Sequence, residues 1–179
     1  MVECHQGPGA RASDFSCAVV NFPGTFGTLP TNDPEITPGD IESAIREIPM
    51  PPHRLQIQPD GRTLVNIATI FFTEPRSLRR TVTLLGQQVR LDARPVRYTW
   101  VHGDGTSHTT SKPGRPYPSK DVTYRYQQPG HGLAARVDTT YSVRYRVNGG
   151  DWTTLGATLT ARGPVTTVDV DEAVPVLTN

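Results

Sequence analysis

Three segments in the second half of the chain alternate in polarity with a period of two. Val96, Tyr98 and Trp100 alternate with Arg97, Thr99 and Val101; Val122, Tyr124 and Tyr126 with Thr123 and Arg125; Tyr141, Val143, Tyr145 and Val147 with Ser142, Arg144 and Arg146. In an extended chain that period puts each apolar set on one face. A slip of one residue would turn the whole set to water, so each strand has a defined register. The chain is therefore constrained to sheets with one buried and one wet face. Its 17 prolines and 16 glycines in 179 residues, with 35% hydrophobic residues, agree with short elements, many turns and thin layers. The prediction is a mainly β, antiparallel sandwich or barrel.

Further strands are predicted at 54–58, at 63–73 as one buried and bent strand, at 81–85, 89–93, 158–160 and 165–170. Asn148-Gly149-Gly150-Asp151 is a hairpin signal, because positive φ is cheap for glycine and tolerable for asparagine. One helix is predicted over 38–48. Thr37 is its N-cap, Pro38 suits the first position, and Asp40 stands where a capping-box acid belongs. Ile41, Ala44, Ile45 and Ile48 form one stripe, read as packing on the helix's own domain rather than on a partner, and Pro49, Pro51 and Pro52 end the helix. Residues 1–36 show no period and read as loop. The division expected is an N-terminal extension, 1–52, followed by a β-sandwich domain, 53–179.

Net charge is +1, and no Lys/Arg block is present, so no nucleic-acid partner is expected. Sixteen of the 18 cationic residues are arginine, but they are scattered along the chain. The scatter reads as coding bias rather than as a built anion site. Cys4 and Cys17 flank a Gly/Pro/Ser loop, which suits a disulfide and an oxidising compartment. No apolar run reaches transmembrane length. Met1-Val2 followed at once by Glu3-Cys4 reads as an expression start placed after a removed leader, hence an extracellular or cell-envelope protein.

The segment Trp100-Val101-His102-Gly103-Asp104-Gly105 runs from an apolar strand into a turn. Gly103 and Gly105 permit left-handed backbone and Asp104 can accept from neighbouring N–H groups. A Thr/Ser-rich return strand follows, then Val122-Thr123-Tyr124-Arg125-Tyr126 and the Tyr141–Val147 strand. This succession, over roughly residues 82–170, resembles the polycystic-kidney-disease (PKD) domain. The resemblance implies an immunoglobulin-like β-sandwich, usually extracellular and non-catalytic, used for protein or polysaccharide contact or as a spacer. Arg125 stands where the family often has histidine, and a long loop, 111–118, precedes that strand. The whole chain, helix 38–48 and Tyr117 included, is also similar to exported PKD-like proteins of GC-rich Gram-positive bacteria.

Chemistry-bearing patterns are few. There is no nucleophile elbow, no His-Glu-x-x-His, no phosphate loop and no dinucleotide fingerprint. Carboxylates such as Asp33, Glu35, Asp169 and Asp171 are not paired by sequence. Asp104 with Asp121 falls short of the six to eight oxygens calcium takes. His102 and His108 read as exposed residues of a hairpin rather than as metal ligands, and His131 as a loop residue. No catalytic residue, metal or cofactor is expected. Tyr117, in the Pro-rich loop, and Trp152, after the hairpin turn, are the candidate binding residues, as aromatic platforms for a sugar or a partner's apolar groups. The expected function is a non-catalytic exported module making protein–protein contacts at the cell envelope, as part of a surface assembly. The alternative is a polysaccharide-binding accessory domain.

Overall fold

The computed structural model describes residues 2–5, 16–19 and 36–173. Two compact units are formed, Met1–Pro34 and Glu35–Asn179. In the first, β1 (Val2–His5) and β2 (Ser16–Val19) pair antiparallel, with Cys4 directly opposite Cys17. The loop expected over residues 1–36 gives way to these two strands at 2–5 and 16–19; the bridge expected between the two cysteines concerns side chains outside the described residues.

The second unit opens with α1 (Pro38–Arg46). Its N-terminus carries the predicted capping box: the Asp40 N–H donates to Thr37 Oγ1, and the Thr37 N–H donates to Asp40 Oδ2 at 2.9 Å. The strands are β3 (Gln56–Gln58), β4 (Arg62–Leu64), β5 (Thr69–Phe72), β6 (Leu78–Leu84), β7 (Gln87–Val101), β8 (Ser107–Thr110), β9 (Thr123–Tyr124), β10 (Gly130–Val147), β11 (Thr153–Ala161) and β12 (Thr166–Asp171). One sheet runs β4-β12-β10-β7-β6, with β11 also on β10 and β8 also on β7; the other is β3-β5-β9. Pairing is antiparallel except for β4 beside β12. The two sheets form the immunoglobulin-like β-sandwich.

The long strand β10 organises this unit. Its odd-numbered residues from Ala135 to Val143 are all buried. At one end that face is covered by the three-stranded sheet: Ala135 and Val137 join Tyr98, Trp100, Leu55, Ile57 and Phe71 in one core cluster. At the other end the same face is covered by α1, whose Ile41, Ile45 and Ile48 pack with Val89, Leu91, Tyr141 and Val143. The helix stripe thus packs on its own sheet. His53 bridges the two clusters. Its Nδ1–H donates to Thr139 Oγ1 at 2.8 Å, its Nε2 accepts the Arg76 N–H, and its ring lies against Tyr98 and Tyr141.

Four further expectations need correction. The segment 63–73 is two strands in two sheets, not one bent strand. Asn66, at φ 64°, reverses the chain between them, and Ile67 is half exposed. Residues 89–101 are one continuous strand across Pro95. Proline is tolerated because β6 pairs only up to Ala93 and β8 only from Tyr98, so the missing N–H falls where that edge is open. Val96 does not share the core face of Tyr98 and Trp100. The register shifts between Thr140 and Tyr141, opposite Pro95 and Arg97, and the extra residue turns Val96 outward at 44% exposure. Finally, β10 begins at Gly130 rather than near Tyr141. Its inward residues there, Ala135, Val137 and Thr139, are small, and so give a weak alternation signal.

Candidate binding site

The loop 111–118 is held down at several points. Trp100 Nε1–H donates to Thr110 Oγ1 at 2.9 Å, and that hydroxyl donates onward to the Lys112 carbonyl at 2.7 Å. The Thr73 N–H takes the Pro113 carbonyl at 2.8 Å, stitching the loop to the end of β5. Gly114, at φ 70°, lies flush on that strand. A Cβ built there meets the Phe71 carbonyl oxygen well inside contact distance and Phe72 Cα at 3.0 Å. Arg115 and Asp121 form an ion pair, Nε to Oδ2 at 2.7 Å, that ties the two sides of the loop together. The Tyr117 N–H donates to Gln58 Oε1 at 2.7 Å.

These restraints place the Tyr117 ring, 71% exposed, at a cleft of about 720 Å³ walled by Gln58, Pro59, Ile67, Ile70, Tyr117 and Arg125. Pro59 and Ile67 also wall a smaller cleft of about 260 Å³ that continues to Leu64. Ile67 is 50% exposed and Leu64 39%. Together they make an apolar groove, and the larger cleft is also lined by the charged residues Asp60, Lys120 and Arg125. Gly114→Ala is expected to lift the loop from β5. Stability should fall by about 1–3 kcal/mol, in line with other overpacking changes, and the Tyr117 ring should gain mobility. Denaturant unfolding and side-chain NMR of Tyr117 check this.

Trp152 is placed elsewhere. Its ring carries the guanidinium groups of Arg144 at 4.5 Å and Arg146 at 5.0 Å, and it precedes the first residue of β11. Tyr117 and Trp152 therefore belong to different surfaces. Leu64 and Ile67 were not singled out by sequence, because 63–73 read as a buried strand. The available signal was Asn66, a residue that tolerates the left-handed conformation.

The Gly103-Asp104-Gly105 turn is closed by the His102 N–H donating to the Thr106 carbonyl, with both glycines near φ 88°. Asp104 accepts from the Thr106 N–H at 2.9 Å, the Thr106 hydroxyl at 2.6 Å and the Tyr124 hydroxyl at 2.6 Å. Burial pushes the Asp104 carboxyl up, but these bonds outweigh it and hold it below the usual carboxylate range. Its oxygens are thus engaged in shaping the turn, and Asp121 is engaged with Arg115. Asp169 accepts the Gly132 N–H at 2.8 Å and faces His131 at 3.8 Å, while Asp171 pairs with Arg62. Among the described residues no group of three or more His, Cys, Asp or Glu side chains converges.

His102 is buried rather than exposed, stacked on Tyr124 with ring centres 3.6 Å apart. Its Nε2 lies 2.9 Å from His108 Nδ1, while its own Nδ1 is buried without a partner. A bare acceptor there costs less than a bare donor, because the N–H would be fully stranded. We therefore assign the Nε2–H tautomer to His102, donating to His108. Burial, then the neighbouring His108, pulls the His102 pKa down to about 4.

Fold and site together define an immunoglobulin-like module with an apolar groove lined by Pro59, Leu64, Ile67, Ile70 and Tyr117. The PKD domain family model matches residues 55–151, more than half of the chain, and the chain belongs to that family. No curated protein and no solved structure matches it. PKD domains are generally non-catalytic, immunoglobulin-like modules that mediate protein interactions, and they occur in extracellular proteins. Among the described residues no helix is long and apolar enough to cross a membrane.

Proposed function

We propose that this chain is an exported, non-catalytic interaction module of the cell envelope that binds a protein partner, as part of a surface assembly, through the groove at Tyr117. The observation that carries the reading is the groove itself. Tyr117, Ile67, Leu64 and Pro59 expose contiguous apolar surface on an ordered loop and turn. An aromatic anchor beside aliphatic walls, bordered by the charged residues Asp60, Lys120 and Arg125, has the make-up of a protein-contact hot spot. Purified domain added to cells of the source organism should bind saturably. Ile67→Asp, at a half-exposed position, should abolish binding while leaving the fold intact by circular dichroism. Undiminished binding by folded Ile67→Asp would refute the role of the groove.

Export implies an oxidised Cys4–Cys17 pair. Direct cross-strand pairing of their backbones supports this, and closing a loop of that length would add roughly 3 kcal/mol against the unfolded chain. Thiol titration in denaturant without reductant should find no free thiol. Two free thiols would remove this support for export.

The polysaccharide reading is favoured by a separate observation, the composition of the sheet face that carries Trp152.

A further inference from the structure

The helix α1 covers one face of the sheet portion built from β6, β7, β10 and β11. The cross-strand register fixes what lies on the opposite face. Arg79 pairs with Asp92, Asp92 with Arg144, and Arg144 with Thr154. Thr81 pairs with Arg90, and Arg90 with Arg146. Arg94 pairs with Ser142, and Ser142 with Thr158; Arg97 pairs with Thr140, and Thr140 with Thr160. Directly opposed residues share a face, so six arginines stand in adjacent rows with Asp92 as the one carboxylate in these four rows; the next row opposes Thr99 to Asp138, which pairs with Arg136. The bulge at Val96 matters here. Without its extra residue, Arg94 and Arg97 would point to opposite sides of the sheet.

Scatter along the sequence is thus undone by topology. Arg94 and Arg144 both reach Asp92, at 3.1 and 2.8 Å, and these bonds hold its carboxyl below the usual range against the upward push of burial. Arg79 and Arg90 are exposed and make no ion pair with a described residue, and Arg146 Nε is buried without a hydrogen-bond partner. A chain of net charge +1 therefore concentrates cations on one flat face.

We propose that this face binds an acidic, carboxylate-bearing polysaccharide. Three observations select that occupant. Arginine forks match carboxylate geometry bidentately. Cation rows spaced about 5 Å across strands and 7 Å along them suit a linear polymer with a repeating charge better than one compact anion. The companions are mainly threonine and serine hydroxyls, with Val96 the exposed aliphatic side chain at the bulge, and the face's aromatic, Trp152, already carries two guanidinium groups. A protein interface would instead centre on apolar anchors. The choice of a glycan over nucleic acid rests on the envelope placement proposed above; the face itself is independent of the groove at Tyr117.

Polygalacturonate binding, followed by affinity electrophoresis and calorimetry at low salt, tests the proposal, with neutral dextran, duplex DNA and a polyglutamate peptide as comparison arms. Wild-type protein should bind polygalacturonate and not dextran. The double variant Arg79→Gln/Arg90→Gln, altered only at exposed positions, should keep its melting temperature and bind at least tenfold more weakly. Its slope of log K against log salt should be shallower by about two, roughly one per cation removed. Tyr117→Ala should bind the polymer like wild type, which separates this proposal from the groove reading. Absence of polygalacturonate binding, or its persistence in the double variant, would overturn the proposal. Equal or tighter binding of DNA would reassign the face to nucleic acid, and equal or tighter binding of polyglutamate to an acidic protein.

Discussion

Lowering the pH from 6.5 to 4 is expected to destabilise the folded domain by up to roughly 3 kcal/mol through His102 alone, at 1.36 kcal/mol per unit of pKa displacement. In the unfolded chain His102 titrates at its ordinary value of 6.5; in the fold it stays neutral down to about 4. Between those values the unfolded state binds the extra proton. Stability is fully present above pH 6.5 and is lost as pH falls toward 4. His53 and His108 add to the same trend, since burial lowers both. For His53 the structural reason is plain: its Nε2 lone pair accepts the Arg76 N–H, which a proton would displace. The carboxylates Asp92, Asp104 and Asp171 are held below their ordinary value of 3.8 and act only at more acid pH. Urea midpoints at pH 7.5, 6, 5 and 4.5 should therefore fall steadily, and His102→Phe should flatten the slope. A flat midpoint across this window would contradict a neutral, buried His102.

Trp100→Ala is expected to cost about 3–5 kcal/mol, the range for removing a buried aromatic. Trp100 is fully buried, stacked on Tyr98 and edge-on to Phe71. Its Nε1–H also fixes the Thr110 hydroxyl that anchors Lys112. Part of the damage should thus reach the 111–118 loop. Trp100→Phe keeps much of the packing but loses that bond, so it should cost less in stability while still loosening Tyr117. Denaturant unfolding measures the first effect, and hydrogen exchange across 111–118 the second.

Sequence reading reached the helix and the sandwich because both rest on short-range rules. Thr37 and Asp40 write the capping box locally, and the Tyr141–Val147 alternation declares one wet and one dry face. It placed Tyr117 on an exposed loop and Gly103-Asp104-Gly105 in a turn. What it could not reach depends on register. The reversal at Asn66 sends β4 and β5 to different sheets and leaves Ile67 beside Tyr117, a proximity written in no local pattern. The bulge at Val96 likewise decides which arginines share a face, and arginines up to 67 residues apart meet only once β6, β7 and β10 are in register. His102 reads as exposed from the polarity of its turn, yet Tyr124 and Phe71 arrive from another strand pair to bury it.

The groove beside Tyr117 is proposed as the contact surface for a protein partner. Photo-cross-linking from a benzophenone side chain placed at position 117, in cells of the source organism, tests it most directly. One discrete protein adduct is expected, lost when Ile67→Asp is added and not reproduced by the same probe at position 152. No adduct from position 117, or one that survives Ile67→Asp, would contradict it.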